Sequence, residues 1–290
     1  MSQLAGSRSA FDRVHSLLFA PGDDDRKLSR ALESQAHAVI ADLEDAVAPN
    51  AKSRARDVVR ELFGRNTSNV LRIVRVNAVE TPYFEEDLDL VLGLNIDGVM
   101  LPKATVQSVA RLSKAGPVLA LLESATGIRS AGEIAECDNV HALALGSIDL
   151  GAEVGIQRRD DGQELLYARS KLVIDSTAAG LRQPFDTVYT AFKDMIGLEA
   201  EARLARSLGM GGKLCIHPDQ VGVVNRVYAP QPEEVEAARD LIASYEASMD
   251  SGQGVMTLRD EMVDRALLRR ARRVLDAADI RPKRSSGGPE

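Results

Sequence analysis

The stretch "SLLFAPGDDDRK", residues 16–27, holds the choice between two ways of winding alternating strands and helices. Ser16-Leu17-Leu18-Phe19-Ala20 is a short apolar run of the kind that a parallel sheet buries on both faces. A doubly wound dinucleotide-binding sheet places a glycine-rich turn after its first strand, where backbone N–H groups meet a pyrophosphate. Here the turn is Pro21-Gly22-Asp23-Asp24-Asp25, with a single glycine and three acids that repel such a ligand. Similar apolar runs recur at Ala38 to Leu43, Leu71 to Val76, Gly98 to Leu101, Val118 to Leu122, Ala142 to Leu145, Phe185 to Tyr189 and Lys213 to Ile216. Helical periodicity fills the intervals, as in Arg26 to Ala36, Ala51 to Phe63, Tyr83 to Leu92, Ser130 to Glu136, Leu166 to Ala179 and Leu198 to Leu208. Eight alternations over roughly 215 residues fit an α/β fold of the (β/α)8 TIM-barrel kind, typically about 250 residues long. The doubly wound sheet is the alternative.

After Pro230 the pattern changes. "QPEEVEAARDLIASYEAS" opens with proline and acids and continues at helical spacing, which predicts a helix outside the barrel. "MDSGQGVM" reads as a flexible connection, and "EMVDRALLRRARRVLDAADI" as a second amphipathic helix. The expected organisation is a catalytic barrel over 1–229, additional C-terminal helices over 230–283 and a disordered tail over 284–290.

Composition removes several function classes. Lys and Arg number 36 against 43 Asp and Glu, a net charge of −7 that opposes general nucleic-acid binding. The apolar runs are far shorter than the roughly 18 residues of a membrane span, and "MSQLAGSRSAFDR" lacks the apolar stretch of a secretory leader, so a cytoplasmic protein is expected. Cys137 and Cys215 lie far apart, and His15, His37, His141 and His217 are scattered, which argues against a zinc cluster.

In a barrel the chemistry sits at the C-terminal ends of the strands. "DLEDAV", residues 42–47, ends the second run with Asp42, Glu44 and Asp45; later runs end in Arg75 and Asn77, Pro102-Lys103, Glu123, Ser147 and Asp149, and His217. Glu123 and Asp149 follow neighbouring runs, and two hard oxygen ligands on one rim suit Mg2+ or Mn2+, which fill their remaining positions with water and substrate. Equally, these acids can cap the helices that follow. Arg75 can fork onto a substrate carboxylate or pair with the acids of the second strand. Lys103 can cradle an anion or be solvated, and His217 can carry a proton or be structural. Glu44 and Asp45 can hold water on a metal or orient Arg75 and Lys52, with Asp42 buried beneath the site. No arrangement for a nucleophilic triad is present around Ser176-Thr177 or the cysteines.

The order and spacing of "SLLFAPGDDDRKLSRALES", "AVIADLEDAVAPNAKSRAR", "IVRVNAVET", "DGVMLPKA", "LALLESATGI", "ALALGSIDLGAEVG", "GKLCIHPDQV" and "EMVDRALLRRARRVL" resemble the HpcH/HpaI aldolase family, in its citrate lyase β-subunit-like branch. The resemblance covers nearly the whole chain. It implies a TIM barrel with added C-terminal helices and a Mg2+-dependent carbon-carbon lyase. Such an enzyme cleaves or forms a short 3-hydroxyacyl-CoA thioester, such as citramalyl-, malyl- or citryl-CoA, to acetyl-CoA and a keto acid. It further implies Glu123 and Asp149 as metal ligands, Mn2+ being an alternative metal, and Arg75 at the substrate carboxylate or carbonyl. Asp264 of Met262-Val263-Asp264 would be the carboxylate that moves a proton at the enolate carbon, supplied from a neighbouring subunit of a homotrimer or homohexamer. Lys27 and Arg26 can meet the phosphates of coenzyme A, or form a solvated first turn. Two other readings share the site: a citrate lyase β subunit acting on citryl-acyl-carrier protein within a complex, and a class II aldolase of free hydroxy-keto acids.

Overall fold

The computed structural model describes residues 10–65, 70–159, 161–250, 256–258, 261–263 and 265–278. They fall into two compact units, one ending at Tyr228 and one beginning at Ala229.

The first unit is a closed barrel of eight parallel strands in sequential order, β1 (Ser16–Pro21), β2 (Ala38–Asp42), β3 (Leu71–Arg75), β4 (Gly98–Leu101), β5 (Val118–Leu122), β6 (Val140–Leu145), β7 (Phe185–Asp186) and β8 (Gly212–Cys215). The helices between them are α1 (Asp25–Leu32), α2 (Lys52–Gly64), α3 (Phe84–Leu92), α4 (Val106–Ala110), α5 (Ala125–Arg129), α6 (Ala131–Ala135), α7 (Ser147–Val154), α8 (Leu166–Ala178), α9 (Met195–Ser207) and α10 (Pro218–Tyr228). The pleat sends odd-numbered residues of β1, β3, β5 and β7 inward and even-numbered residues of β2, β4, β6 and β8 inward. Hence Leu17, Ile40, Ile73, Met100, Leu119, Leu121, Ala144, Phe185 and Leu214 form one interior cluster. Alternate residues such as Val39, Val74, Val99 and Leu143 pack under the helices in a larger outer cluster.

Phe11, on a 3-10 turn before β1, is fully buried in the interior cluster. A Cβ at Gly98 would stand 2.6 Å from its ring, so glycine there makes room for the stopper.

The expected strand at Phe185 to Tyr189 is cut to two residues, and a single register pair, Ala144 with Phe185, joins β7 to β6. Side chains anchor the short strand from its other neighbours. Asp186 points outward and takes Arg169 Nε at 2.8 Å and Lys213 Nζ at 2.7 Å, while Lys213 also donates to Glu201 at 2.6 Å. Arg169, Asp186 and Lys213 are all fully buried, so this cluster ties β7 and β8 to α8 and α9. A buried ion set of this kind is tolerated because every charge is paired.

The second unit contains α11 (Pro232–Asp250), a hairpin of β9 (Met256–Leu258) and β10 (Glu261–Val263), and α12 (Arg265–Ala278). The helix expected from Glu261 therefore begins later. Met262 and Val263 instead pair antiparallel with Thr257 and Met256, and β-branched residue types such as valine and threonine favour a strand. Asp264 and the tail at 284–290 lie outside the described residues. Among the described residues, no helix is long and apolar enough to cross a membrane.

Candidate active site

A cavity of about 430 Å3 opens at the C-terminal end of the barrel. Its floor is the upper layer of the interior, Phe19, Leu121, Leu214 and Val188; its polar wall is Asp42, Asp45, Arg75, Glu123, Ser147, Asp149 and Thr187. Parity explains the division. Arg75 and Glu123 continue the inward series of β3 and β5 at the point where the apolar layers end.

Arg75 is buried and charged beneath the rim. Its Nε and Nη2 donate to the two oxygens of Asp42 at 2.7 and 2.6 Å. Its Nη1 lies 3.1 Å from Glu44 Oε2 and 3.5 Å from Asp45 Oδ2, and its guanidinium carbon stands 5.0 Å from the centre of the Phe19 ring. Burial opposes its charge, but Asp42, Glu44 and Asp45 outweigh burial and raise its pKa. The strand-two pairing expected as one alternative for Arg75 is thus present. Asp42 also accepts the N–H groups of Glu44 and Ala46 at 2.8 and 3.0 Å, which folds the loop after β2 around the carboxylate.

Lys52 does not pair with the Glu44 carboxylate. Its ammonium donates to the backbone carbonyls of Leu43 and Glu44, both at 2.6 Å, and fastens the loop from outside. Glu44 keeps Arg75 Nη1 as an ion-pair partner but its buried Oε2 accepts no hydrogen bond, and burial pushes its pKa up to about 8.

Glu123 is 6% exposed and burial pushes its pKa up to about 7, with the nearby Asp149 adding to the shift. Helix capping at this point belongs to its neighbour: Ser124 Oγ accepts the Gly127 N–H at 3.0 Å. Glu123 Oε1 instead accepts the backbone N–H of Lys103 at 2.9 Å. Lys103 has a φ of 49°, a left-handed conformation uncommon outside glycine and asparagine, which occurs here beside Glu123 of the cavity wall. Its ammonium lies 3.7 Å from Glu44 Oε1 and 3.9 Å from Asp149 Oδ2. Burial works against that ammonium, yet Glu44, Glu123, Asp149 and Asp45 together raise its pKa.

Asp149 stands in the first turn of α7 without capping it; the cap position is Gly146. A Cβ at Gly146 would fall 2.5 Å from Glu123 Cβ, so glycine is required for the two metal candidates to share one rim.

Two expected residues lie apart from this wall. Lys27 is exposed and pairs with Asp24, 3.1 Å away, at the start of α1. His217 is stacked on Phe192 with ring centres 5.3 Å apart, and its Nδ1 accepts the Asp219 N–H at 3.3 Å. Neither lines the cavity. Residues that drew no attention in the sequence include Phe19, Gly146 and Thr187; a phenylalanine, a glycine and a threonine in such runs carry no chemical signature of their own.

Five carboxylates, Asp42, Glu44, Asp45, Glu123 and Asp149, surround two cations, Arg75 and Lys103. The surplus of carboxylates over cations, with Glu44 held by ion pairs and no hydrogen bond at its buried Oε2, fits a divalent cation at this rim. Among the described residues no group of three or more His, Cys, Asp or Glu is arranged to cage a metal. A pair of carboxylates with room for water and substrate matches the habit of Mg2+.

The comparisons with known proteins point the same way. A family model for HpcH/HpaI aldolase/citrate lyase matches residues 15–218. The chain is 36% identical over 273 residues to a (3S)-malyl-CoA thioesterase of Cereibacter sphaeroides, covering 91% of this chain and 94% of the relative. It is 34% identical over 280 residues to the citrate lyase subunit beta of Leuconostoc mesenteroides, covering 91% and 92%. A crystal structure of the protein CitE from Mycobacterium tuberculosis, in complex with magnesium, acetoacetate and coenzyme A, superposes with a TM-score of 0.79 at 34% identity. That match covers 92% of this chain and 98% of the other.

Proposed function

The chain belongs to the HpcH/HpaI aldolase/citrate lyase family, and from that membership and the rim we propose a Mg2+-dependent carbon-carbon lyase of short 3-hydroxyacyl-CoA thioesters. The products would be acetyl-CoA and a keto acid. The observation that carries the reading is the pair Glu123 and Asp149, one directly after β5 and one in the first turn of the helix after β6, facing Arg75 across one cavity with an excess of negative charge.

Glu123 and Asp149 would hold Mg2+, which when bound acts as a Lewis acid and template for the substrate oxygens. Arg75 would place fixed positive charge where the carboxylate or the developing carbonyl oxygen lies, with Asp42 setting its direction. Glu44 and Asp45 flank that guanidinium, and Lys103 adds charge above it. In the cleavage direction the substrate hydroxyl loses its proton, the carbon-carbon bond breaks, and its electrons remain on the carbon next to the thioester. A proton delivered there completes the acetyl group. Asp264 is proposed for that delivery, from the C-terminal unit of a neighbouring subunit in a homotrimer or homohexamer. Lys27, exposed at the start of α1, is proposed for the phosphates of coenzyme A.

The relative named as a thioesterase raises a second reaction at the same site, in which water cleaves malyl-CoA to malate and the free thiol. One screen separates the two: citramalyl-, malyl- and citryl-CoA are incubated with and without Mg2+, and free keto acid and free thiol are measured. The lyase reading expects keto acid without thiol, dependent on Mg2+, and at least about 100-fold loss in Glu123→Gln and Asp149→Asn. Thiol release without keto acid, or full activity in either variant, would overturn it.

A further inference from the structure

We propose that Thr187 is a positioning residue for the divalent cation: its hydroxyl anchors the first turn of α7 and so sets where the Asp149 carboxylate stands. The inference rests on the metal reading above. The first N–H groups of a helix have no partner within it, and Gly146, at the cap position of α7, has no side chain to offer one. Thr187 supplies the acceptor from across the barrel seam. Its Oγ1 accepts the Ser147 N–H at 3.1 Å and shares a hydrogen bond with Ser147 Oγ at 2.7 Å. Thr187 is 2% exposed, so this hydroxyl is directed inward and not into solvent.

Asp149 lies two residues along the same helical turn, so a displacement of Ser147 carries it along. On the other side of Ser147, the Gly146 N–H donates to Leu122 O at 3.0 Å, and Glu123 fills the space a Gly146 Cβ would take. The two carboxylates thus meet across one short segment, held by close packing at Glu123 and by a hydroxyl at Ser147. Thr187 itself follows Asp186, which the buried cluster with Arg169 and Lys213 fixes in place. Because β6 and β7 share only one register pair, backbone pairing does not substitute for these side-chain bonds at the rim.

The test measures the Mg2+ dissociation constant of the full chain by calorimetry without substrate, beside thermal melting of each variant. Thr187→Val keeps the shape and removes the acceptor, and is expected to weaken Mg2+ binding about tenfold, in the range found for residues that orient metal ligands. Thr187→Ser restores the hydroxyl and is expected to bind within about twofold of the unaltered chain. In an Asp149→Asn background, Thr187→Val is expected to cause no further loss, because it acts through Asp149. Should Thr187→Val not fold, Ser147→Pro removes the same N–H donor at a helix position that tolerates proline, with the same expected weakening. Unchanged affinity in these variants, or equal weakening in the Ser and Val variants, would overturn the proposal. Absence of Mg2+ binding in the unaltered chain would overturn the metal reading and this inference with it.

Discussion

Arg75 and Asp42 meet in a two-bond fork, Nε to Oδ1 at 2.7 Å and Nη2 to Oδ2 at 2.6 Å, at the point where β2 and β3 reach the rim. The fork couples two jobs. The Asp42 carboxylate that aims the guanidinium also turns the backbone at Glu44 and Ala46, so Arg75 and the acidic loop form one rigid part.

Asp42→Asn replaces an acceptor with an amide donor facing Arg75. A misplacement of reacting groups by about 1 Å can cost on the order of 100-fold, and breaking a buried ion pair costs about 3–5 kcal/mol. The variant is expected to lose 10- to 100-fold in kcat/KM, by that same order-of-magnitude argument, and to unfold at lower urea. Steady-state kinetics with urea titration checks both.

Gly146→Ala forces a methyl to within 2.5 Å of Glu123 Cβ. Something must move, and the helix start and the glutamate are the nearest movable parts. Mg2+ affinity is expected to fall by about tenfold or more while the far-ultraviolet circular dichroism stays unchanged. Calorimetry reads the first and spectroscopy the second.

Asp186→Asn leaves Arg169 and Lys213 buried beside a neutral group. Loss of one partner from a buried charge set costs about 3–5 kcal/mol, because the remaining charges lose their compensation. Lys213 keeps Glu201 at 2.6 Å, which places the expected value at the lower end of about 3 kcal/mol, measured by urea unfolding.

The floor of the barrel predicts an acid limb in stability. His15 Nδ1 donates to Gly211 O at 2.8 Å, and the His15 N–H donates to His37 Nδ1 at 3.0 Å, so His37 must be neutral at that atom. Burial lowers the His15 pKa to about 4 and lowers that of His37 as well. At these two sites the unfolded chain takes up protons first as pH drops below about 6.5, so their contribution to stability is lost between about 6.5 and 4, while Glu44 and Glu123, raised by burial, contribute in the opposite sense. His15→Asn, which retains a donor for Gly211, is expected to flatten this limb in melts recorded from pH 4.5 to 7.5. A melting profile as steep as that of the unaltered chain would contradict the assignment.

How much of this was legible in the residues follows from what each role demands of a side chain. β4 and β5 lie at the expected limits and α2, α3 and α8 within a residue of theirs, because apolar periodicity is set by burial, which the barrel enforces. Thr187, Val188 and Tyr189 have strand-like character, so the pattern runs past the end of β7, and nothing local shows that a salt cluster takes over at Asp186. The amphipathic pattern of α12 continues upstream through "EMV", so periodicity alone does not separate that strand from the helix. At the site, Glu123, Asp149, Arg75 and Lys103 could be singled out as charges at the ends of apolar runs. Lys52 could not be placed correctly, because its partners are carbonyls, and carbonyls are the same in every residue. Gly146 and Thr187 act through space and geometry across the seam, which a linear pattern does not encode.

A barrel is a ring, and a ring is as sound as its weakest join. Seven joins here are made of longer backbone ladders; the one between β6 and β7 has a single register pair, with one pair of hydroxyls just beyond it. Asp149 is suspended directly beside that join. An ion held by Glu123 and Asp149 would tie the ends of β5 and β6 together beside that join, and loading the site and steadying this side of the ring would be one thermodynamic event.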